Sequence, residues 1–260
     1  MSGLEVTFLG TGTSVGVPMI GCGCEVCTSE DPRDKRTRSS IYVETPEMKF
    51  MVDTGPDLRM QCLREGVTEL DAVLYTHAHM DHIVGFDDLR RFSLGREATL
   101  DIFARPAVLA DLRRMFDYAF NGENKYPGYI KPVAHAVAGP FALGATLVTP
   151  LPVAHGKLET VGYLFSREGQ KRFAYIPDCK ALSETAKVAV EGVGTLVVDA
   201  LRHTEHVTHQ NFEEALATAA EAKAGRTYFI HMADEILHAR DDAALPDGVS
   251  LSYDGLRITC

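Results

Sequence analysis

The chain alternates short apolar runs with polar segments carrying Gly, Pro, Asn and Asp. Runs at 4–9, 40–43, 49–52, 72–75, 100–103, 146–148, 161–165, 173–176, 195–198 and 227–230 are rich in β-branched and aromatic residues. Their length suits strands better than helices. Helical segments are predicted at 57–65, at 106–118 with Pro106 at the start, and at 212–224. Asn211 reads as the N-cap of the last, with Glu214 completing a capping box. Two hairpins are expected. One joins 40–43 to 49–52 around Glu44-Thr45-Pro46-Glu47, and the other joins 250–253 to 256–259 around Asp254-Gly255. Strands outnumber helices and interleave with them. No low-complexity tract or linker divides the chain, which predicts one domain over 1–260.

After the first strand comes Gly10-Thr11-Gly12-Thr13-Ser14-Val15-Gly16, a loop that can expose backbone N–H groups. It is not a dinucleotide fingerprint: the third glycine falls one position late, and Pro18 and a cysteine cluster follow in place of a helix.

Composition narrows the picture modestly. The 260 residues are 45% hydrophobic and 24% charged, ordinary for a globular protein with a real core. A net charge of −10 disfavours a nonspecific nucleic-acid or anionic-membrane surface. No apolar run reaches membrane-span length. Met1-Ser2-Gly3-Leu4-Glu5-Val6 lacks the basic and apolar regions of a signal peptide, so a cytoplasmic location is expected.

The chemistry concentrates at the end of the run Ala72-Val73-Leu74-Tyr75, where Thr76-His77-Ala78-His79-Met80-Asp81-His82 follows. Imidazole and carboxylate together suit Zn²⁺, Mn²⁺, Fe or Ni²⁺. In extended backbone His77 and His79 point the same way, while Asp81 and His82 can turn toward a second ion. Three other strand ends carry a further ligand type: His155, Asp178 and His231. Apolar strands ending in Asp53, Asp178 and Asp199 hint at a duplicated half-domain.

His-x-His-x-Asp-His at 77–82 with His155, Asp178 and His231, in that order, resembles the metallo-β-lactamase superfamily over nearly the whole chain. The resemblance implies an αβ/βα four-layer sandwich of two mixed β-sheets with outer helices. It assigns His77, His79 and His155 to one metal ion, Asp81, His82 and His231 to a second, and Asp178 to both. Asp53, in Asp53-Thr54-Gly55-Pro56, resembles the family's buried acid that orients the histidine loop. Two divalent ions (Mn or Zn) with Asp81, Asp178 and a hydroxide between them leave about one net positive charge, which suits a phosphodiester monoanion.

Gly21-Cys22-Gly23-Cys24-Glu25-Val26-Cys27 is a compact chelating pattern that fits a structural zinc. This cluster resembles the branch that includes the cyclic phosphodiesterase of bacterial phosphonate breakdown, the carbon–phosphorus lyase pathway. That branch places a histidine three residues after the last catalytic histidine as the fourth zinc ligand. Here Asp234 stands there, leaving Asp234 or His238 as the fourth ligand. Cys62, Cys179 and Cys260 are isolated and read as structural. The branch also has a histidine just before a helix, near the leaving oxygen. His209 matches best, ahead of His206 and His203, as general acid. Lys157, Arg202 and His206 are expected to contact substrate.

The resemblance thus implies hydrolysis of a small cyclic or nucleotide-like phosphate diester by a hydroxide held between two metal ions. Ribonuclease Z shares the pattern, but the acidic balance and the lack of a basic Gly/Pro-rich arm disfavour a large RNA. The cysteine cluster and pre-helix histidine speak against a glyoxalase II-like thioester hydrolase. Monomer and homodimer both remain open.

Overall fold

The computed structural model describes residues 3–93, 99–123 and 128–260. Among them, fifteen strands form two sheets. The first contains β1 (Glu5–Gly10), β2 (Ser40–Glu44), β3 (Lys49–Val52), β4 (Ala72–Leu74), β5 (Leu100–Ala104), β6 (Pro132–Ala136) and, from the end of the chain, β15 (Arg257–Thr259). The second contains β7 (Phe141–Leu143), β8 (Thr146–His155), β9 (Leu158–Arg167), β10 (Gln170–Ile176), β11 (Ala181–Leu182), β12 (Thr195–Asp199), β13 (Arg226–Ile230) and β14 (Val249–Leu251). The spatial orders are β15-β1-β2-β3-β4-β5-β6 and β11-β8-β9-β10-β12-β13-β14, with β7 beside β8. Both sheets are mixed. β15, β1, β2 and β3 pair antiparallel and β3 to β6 parallel; in the second sheet β8, β9 and β10 pair antiparallel, and β10, β12, β13 and β14 parallel.

Side-chain alternation explains the layering. Phe50 and Val52 of β3 meet Phe173 and Tyr175 of β10 in a core between the sheets. Met51 points the other way, packing with Leu58, Leu109 and Leu112 from helices Leu58–Glu65 and Pro106–Met115. Ala174 and Ile176 point outward on the second sheet, against Ala186 and Val190 of helix Glu184–Val190 and Ala215 and Ala222 of helix Phe212–Ala222. Strands with two buried faces read as continuous apolar runs. Four layers, αβ/βα, follow.

Parallel strands send their C-terminal ends to one edge. There β3 delivers Asp53, β4 the histidine loop, β10 Asp178, β12 Asp199 and β13 His231. The two sheets are stitched together at this edge: Tyr163 Oη donates to the Tyr75 carbonyl at 2.8 Å, and Val161 N–H to Thr76 O at 3.2 Å.

The structure corrects some sequence expectations. Asp254-Gly255 is not a hairpin turn, since β14 lies in one sheet and β15 in the other. Asp254 instead accepts from Thr11 Oγ1 (2.8 Å), Thr37 N (2.9 Å) and Thr37 Oγ1 (2.6 Å), and pairs with Arg64 (3.1 Å). The helix expected over 106–118 stops at Met115, where Phe116 leaves helical geometry (φ −116°, ψ 42°) and stacks on Phe86 at 4.6 Å. The capping box of Asn211 and Glu214 forms as expected. Among the described residues, no helix is long and apolar enough to cross a membrane.

Candidate metal centre

Asp53 organises the centre from below. It is fully buried, and its backbone sits in the left-handed region (φ 64°), which carries the chain off β3 into Thr54-Gly55. Thr76 N–H donates to Oδ1 at 2.8 Å and Thr76 Oγ1 to Oδ2 at 2.8 Å. That hydroxyl in turn lies 2.9 Å from His77 Nδ1, and His82 Nδ1 lies 2.8 Å from Asp53 Oδ2. With its proton given to the carboxylate, the Thr76 oxygen accepts from His77 Nδ1. One carboxylate therefore fixes the tautomers of two histidines, leaving Nε2 of both as a lone-pair ligand. Burial pushes the Asp53 carboxyl up, and the contacts from His82 and Thr76 oppose it.

The loop closes on glycine backbone. A Cβ on Gly55 would stand 2.3 Å from the Asp81 carbonyl oxygen, and one on Gly85 would stand 2.1 Å from Gly55 O. Thr54 N–H reaches His82 O at 2.7 Å, and Gly85 N–H reaches Thr54 O at 2.9 Å. No side chain fits between these strands of backbone.

Seven side chains converge above this base. One donor atom each from His77, His79, His155 and Asp178 lie within 4.8 Å of one another, as do donors of Asp81, His82 and His231. His79 Nδ1 is 2.9 Å from His77 Nε2 and 3.3 Å from His155 Nε2. Asp178 stands between the groups: Oδ2 is 3.7 Å from His77 Nε2, 3.6 Å from His155 Nε2 and 3.5 Å from His231 Nε2, and Oδ1 is 3.1 Å from His82 Nε2. His155 Nδ1 is 3.0 Å from the Thr208 carbonyl, which turns Nε2 inward. His231, like Asp53, has positive φ (63°).

These residues fit divalent metal. His82 Nε2, His231 Nε2 and both Asp178 oxygens are buried without a hydrogen-bond partner among the described residues. Such atoms are costly unless something binds them. Burial holds His77, His79 and His155 below the ordinary imidazole value, in the neutral form that ligates. Burial would raise Asp81 and Asp178, but the neighbouring histidines outweigh it and hold both well below the usual carboxylate range.

Beside this cluster lies a pair that the sequence did not reveal. His209 Nδ1 is 2.7 Å from Asp199 Oδ2, and Asp199 also accepts from Cys179 N–H at 2.8 Å. The His209 ring stacks on His231 at 4.7 Å and lies edge-on to His155 at 4.7 Å. Asp199 was visible only as a recurrent strand-end acid; its partner is ten residues away in the chain, and no local spacing signals the pairing. Thr208, which orients His155, left no signal either.

The other residues singled out from sequence are placed as follows. His206 lies half-buried with its ring 5.1 Å from that of His209. His203 lies 3.3 Å from Asp241, with its ring tilted against Phe212 at 4.6 Å. The Arg202 guanidinium donates to the carbonyls of Thr204 (3.3 Å) and Glu205 (2.9 Å), so it braces its own loop. Lys157 is exposed in the turn after His155.

A second centre lies apart. Asp234 Oδ2 is 3.2, 3.6 and 3.8 Å from the Sγ atoms of Cys22, Cys24 and Cys27, and the four form one potential metal-holding group. His238 is not in it; its backbone N–H donates to Asp34 at 2.8 Å. The Gly-Thr-Gly loop turns its backbone to structure: Met232 N–H reaches Thr11 O at 3.0 Å and Thr13 N–H reaches Met232 O at 3.2 Å, holding the segment that runs from His231 to Asp234.

Residues 48–232 match the model of the beta-lactamase superfamily domain. The chain is 37% identical over 258 residues to an octanoyltransferase of Porphyromonas gingivalis, covering 97% of this chain; it spans about half (51%) of that relative. It is 32% identical over 225 residues to coenzyme PQQ synthesis protein B of Methylorubrum populi, covering 75% of this chain and 72% of the relative. Among solved structures, a diphosphatase of the PhnP family superposes with TM-score 0.91 at 36% identity, covering 99% of this chain and 97% of the other.

Proposed function

The chain belongs to the metallo-β-lactamase superfamily, and from that premise we propose that it is a cytoplasmic dinuclear metal-dependent phosphodiesterase acting on a small, nucleotide-like phosphate diester, cyclic or open. The observation that carries this reading is the Asp199–His209 pair packed against seven convergent metal-ligand side chains. His77, His79 and His155 would hold one ion, Asp81, His82 and His231 the other, and Asp178 both. Mn²⁺ and Zn²⁺ each suit such donors. When bound, paired ions acidify water and clamp phosphoryl oxygens.

The chain's own groups do the rest. His209 presents Nε2 toward the metal-ligand cluster and protonates the leaving oxygen. Asp199, fixed by the Cys179 N–H, holds the His209 tautomer and stabilises the imidazolium. Asp53 keeps the histidine loop in register. A third ion, structural zinc, would sit among Cys22, Cys24, Cys27 and Asp234. The likeness to a diphosphatase at 36% identity supports a second substrate form, in which the bond cleaved is P–O–P.

Hydrolysis of bis-p-nitrophenyl phosphate and 2′,3′-cyclic AMP with Mn²⁺ tests the reading. Turnover of S-lactoylglutathione with none on either diester would overturn it.

A further inference from the structure

The loop 203–208 and the turn at Gly156-Lys157 form one rim beside the Asp199–His209 pair. His155, at the base of the turn, is held by the Thr208 carbonyl at 3.0 Å, and a Cβ on Gly156 would stand 3.4 Å from Thr208 Cγ2. His206 occupies this rim with a defined polarity. Thr208 N–H points at its Nδ1 from 3.3 Å, so Nδ1 accepts and the ring proton resides on Nε2. Nε2 has no hydrogen-bond partner among the described residues.

The surroundings of His206 are basic in a chain of net charge −10. After burial itself, the groups that hold its imidazole below the ordinary value are His209, Arg202, Lys180 and His155. Arg202 is tied to loop carbonyls, and Lys180 is already neutralised by Glu214 at 2.6 Å, so neither is free to reach a ligand. Lys157 is exposed on the adjoining turn. A half-buried imidazole whose Nδ1 is already satisfied, next to the group that protonates the leaving oxygen and beside an exposed lysine, suits an anion attached to that leaving oxygen.

We propose that His206, with Lys157 on the adjoining turn, is a subsite for a phosphoryl group beyond the one attacked, selecting substrates with a diphosphate bridge. This inference rests on the phosphodiesterase reading above. Water supplies an oxygen to one phosphorus, and the bond from that phosphorus to the bridging oxygen breaks. The bridging oxygen departs on the second phosphate and takes its proton from His209. Two phosphomonoesters result, and no other reactant enters.

The test uses the metal-loaded full chain with ADP-ribose as the diphosphate diester and bis-p-nitrophenyl phosphate as the single-phosphate diester. His206→Ala should raise KM for ADP-ribose about tenfold or more relative to its effect on bis-p-nitrophenyl phosphate. His206→Gln, which keeps an N–H donor, should recover most of that loss. Equal effects on both substrates, or a Gln variant no better than Ala, would assign His206 to loop packing and overturn the subsite. A wild-type enzyme that cleaves the single-phosphate diester but not ADP-ribose overturns this inference alone. Cleavage of neither overturns the phosphodiesterase reading with it.

Discussion

At the scale of single residues, the side chains that converge at the candidate metal centre were legible because they cluster in sequence. His77, His79, Asp81 and His82 lie within one loop, and the three distant ligands each end an apolar run. What orients them was legible only through the family resemblance for Asp53, whose contact with His82 crosses 29 residues, and not at all for Thr208, which reaches His155 across 53. Arg202 shows the converse, since a basic residue beside three histidines invites a phosphate role while its guanidinium braces its own loop. The Asp199–His209 geometry makes a sharp prediction. His209→Ala should lower kcat by about 10²–10⁴-fold with both ions retained, read by steady-state kinetics and elemental analysis. Asp199→Asn should give a loss of similar order, because the amide no longer enforces the productive tautomer. If His209→Ala removes an ion, the residue is a ligand instead. Asp53→Ala acts differently: freeing His77 and His82 to rotate should weaken metal affinity about 10–100-fold, measurable by competition with a chromophoric chelator.

At the scale of elements, the strands were readable where both faces are buried, as in β3, β4, β10 and β12. Reading failed where pairing is decided remotely. Asp254-Gly255 carries a strong hairpin signal, yet the sheets on either side claim its two flanking strands separately, and Asp254 caps the Thr11 and Thr37 loops instead. Helix Glu184–Val190 was missed although Ser183 caps it, as it spans only 7 residues. The junction between β3 and the histidine loop is sensitive to size. With its Cβ 2.3 Å from the Asp81 carbonyl, Gly55→Ala must push Asp81 away or tilt the loop. The expected cost is about 1–3 kcal/mol in urea unfolding, as for other overpacking changes, together with reduced metal content. A variant of unchanged stability and full metal content would show that the loop has slack the geometry does not provide.

At the scale of the whole molecule, the sandwich and the two centres depend on each other. The sheets meet through an apolar core, but the edge carrying the site buries carboxylates and imidazoles whose donor atoms face only one another. Without ions, Asp178 must be balanced by protonated histidines drawn from the same set; with ions, those histidines ligate as neutral bases. Ions that bind the native edge and not the unfolded chain stabilise by mass action, about 4 kcal/mol at a free concentration a thousand times Kd. Chelation followed by melting should therefore lower Tm by several degrees, and returning Mn²⁺ should restore it. The thiol centre separates from this by position. Cys24→Ser should lower zinc content by one and lower Tm, because Asp234 loses its anchor, while Mn²⁺ still restores the catalytic edge. The segment His231–Asp234 links the two centres and is held by Thr11, Thr13 and Leu201 through backbone hydrogen bonds of 3.0, 3.2 and 2.8 Å. Those contacts do not involve the thiols, which is why the catalytic ions should outlast the zinc. Loss of all three ions in Cys24→Ser would instead make the cysteine loop the keystone of the edge.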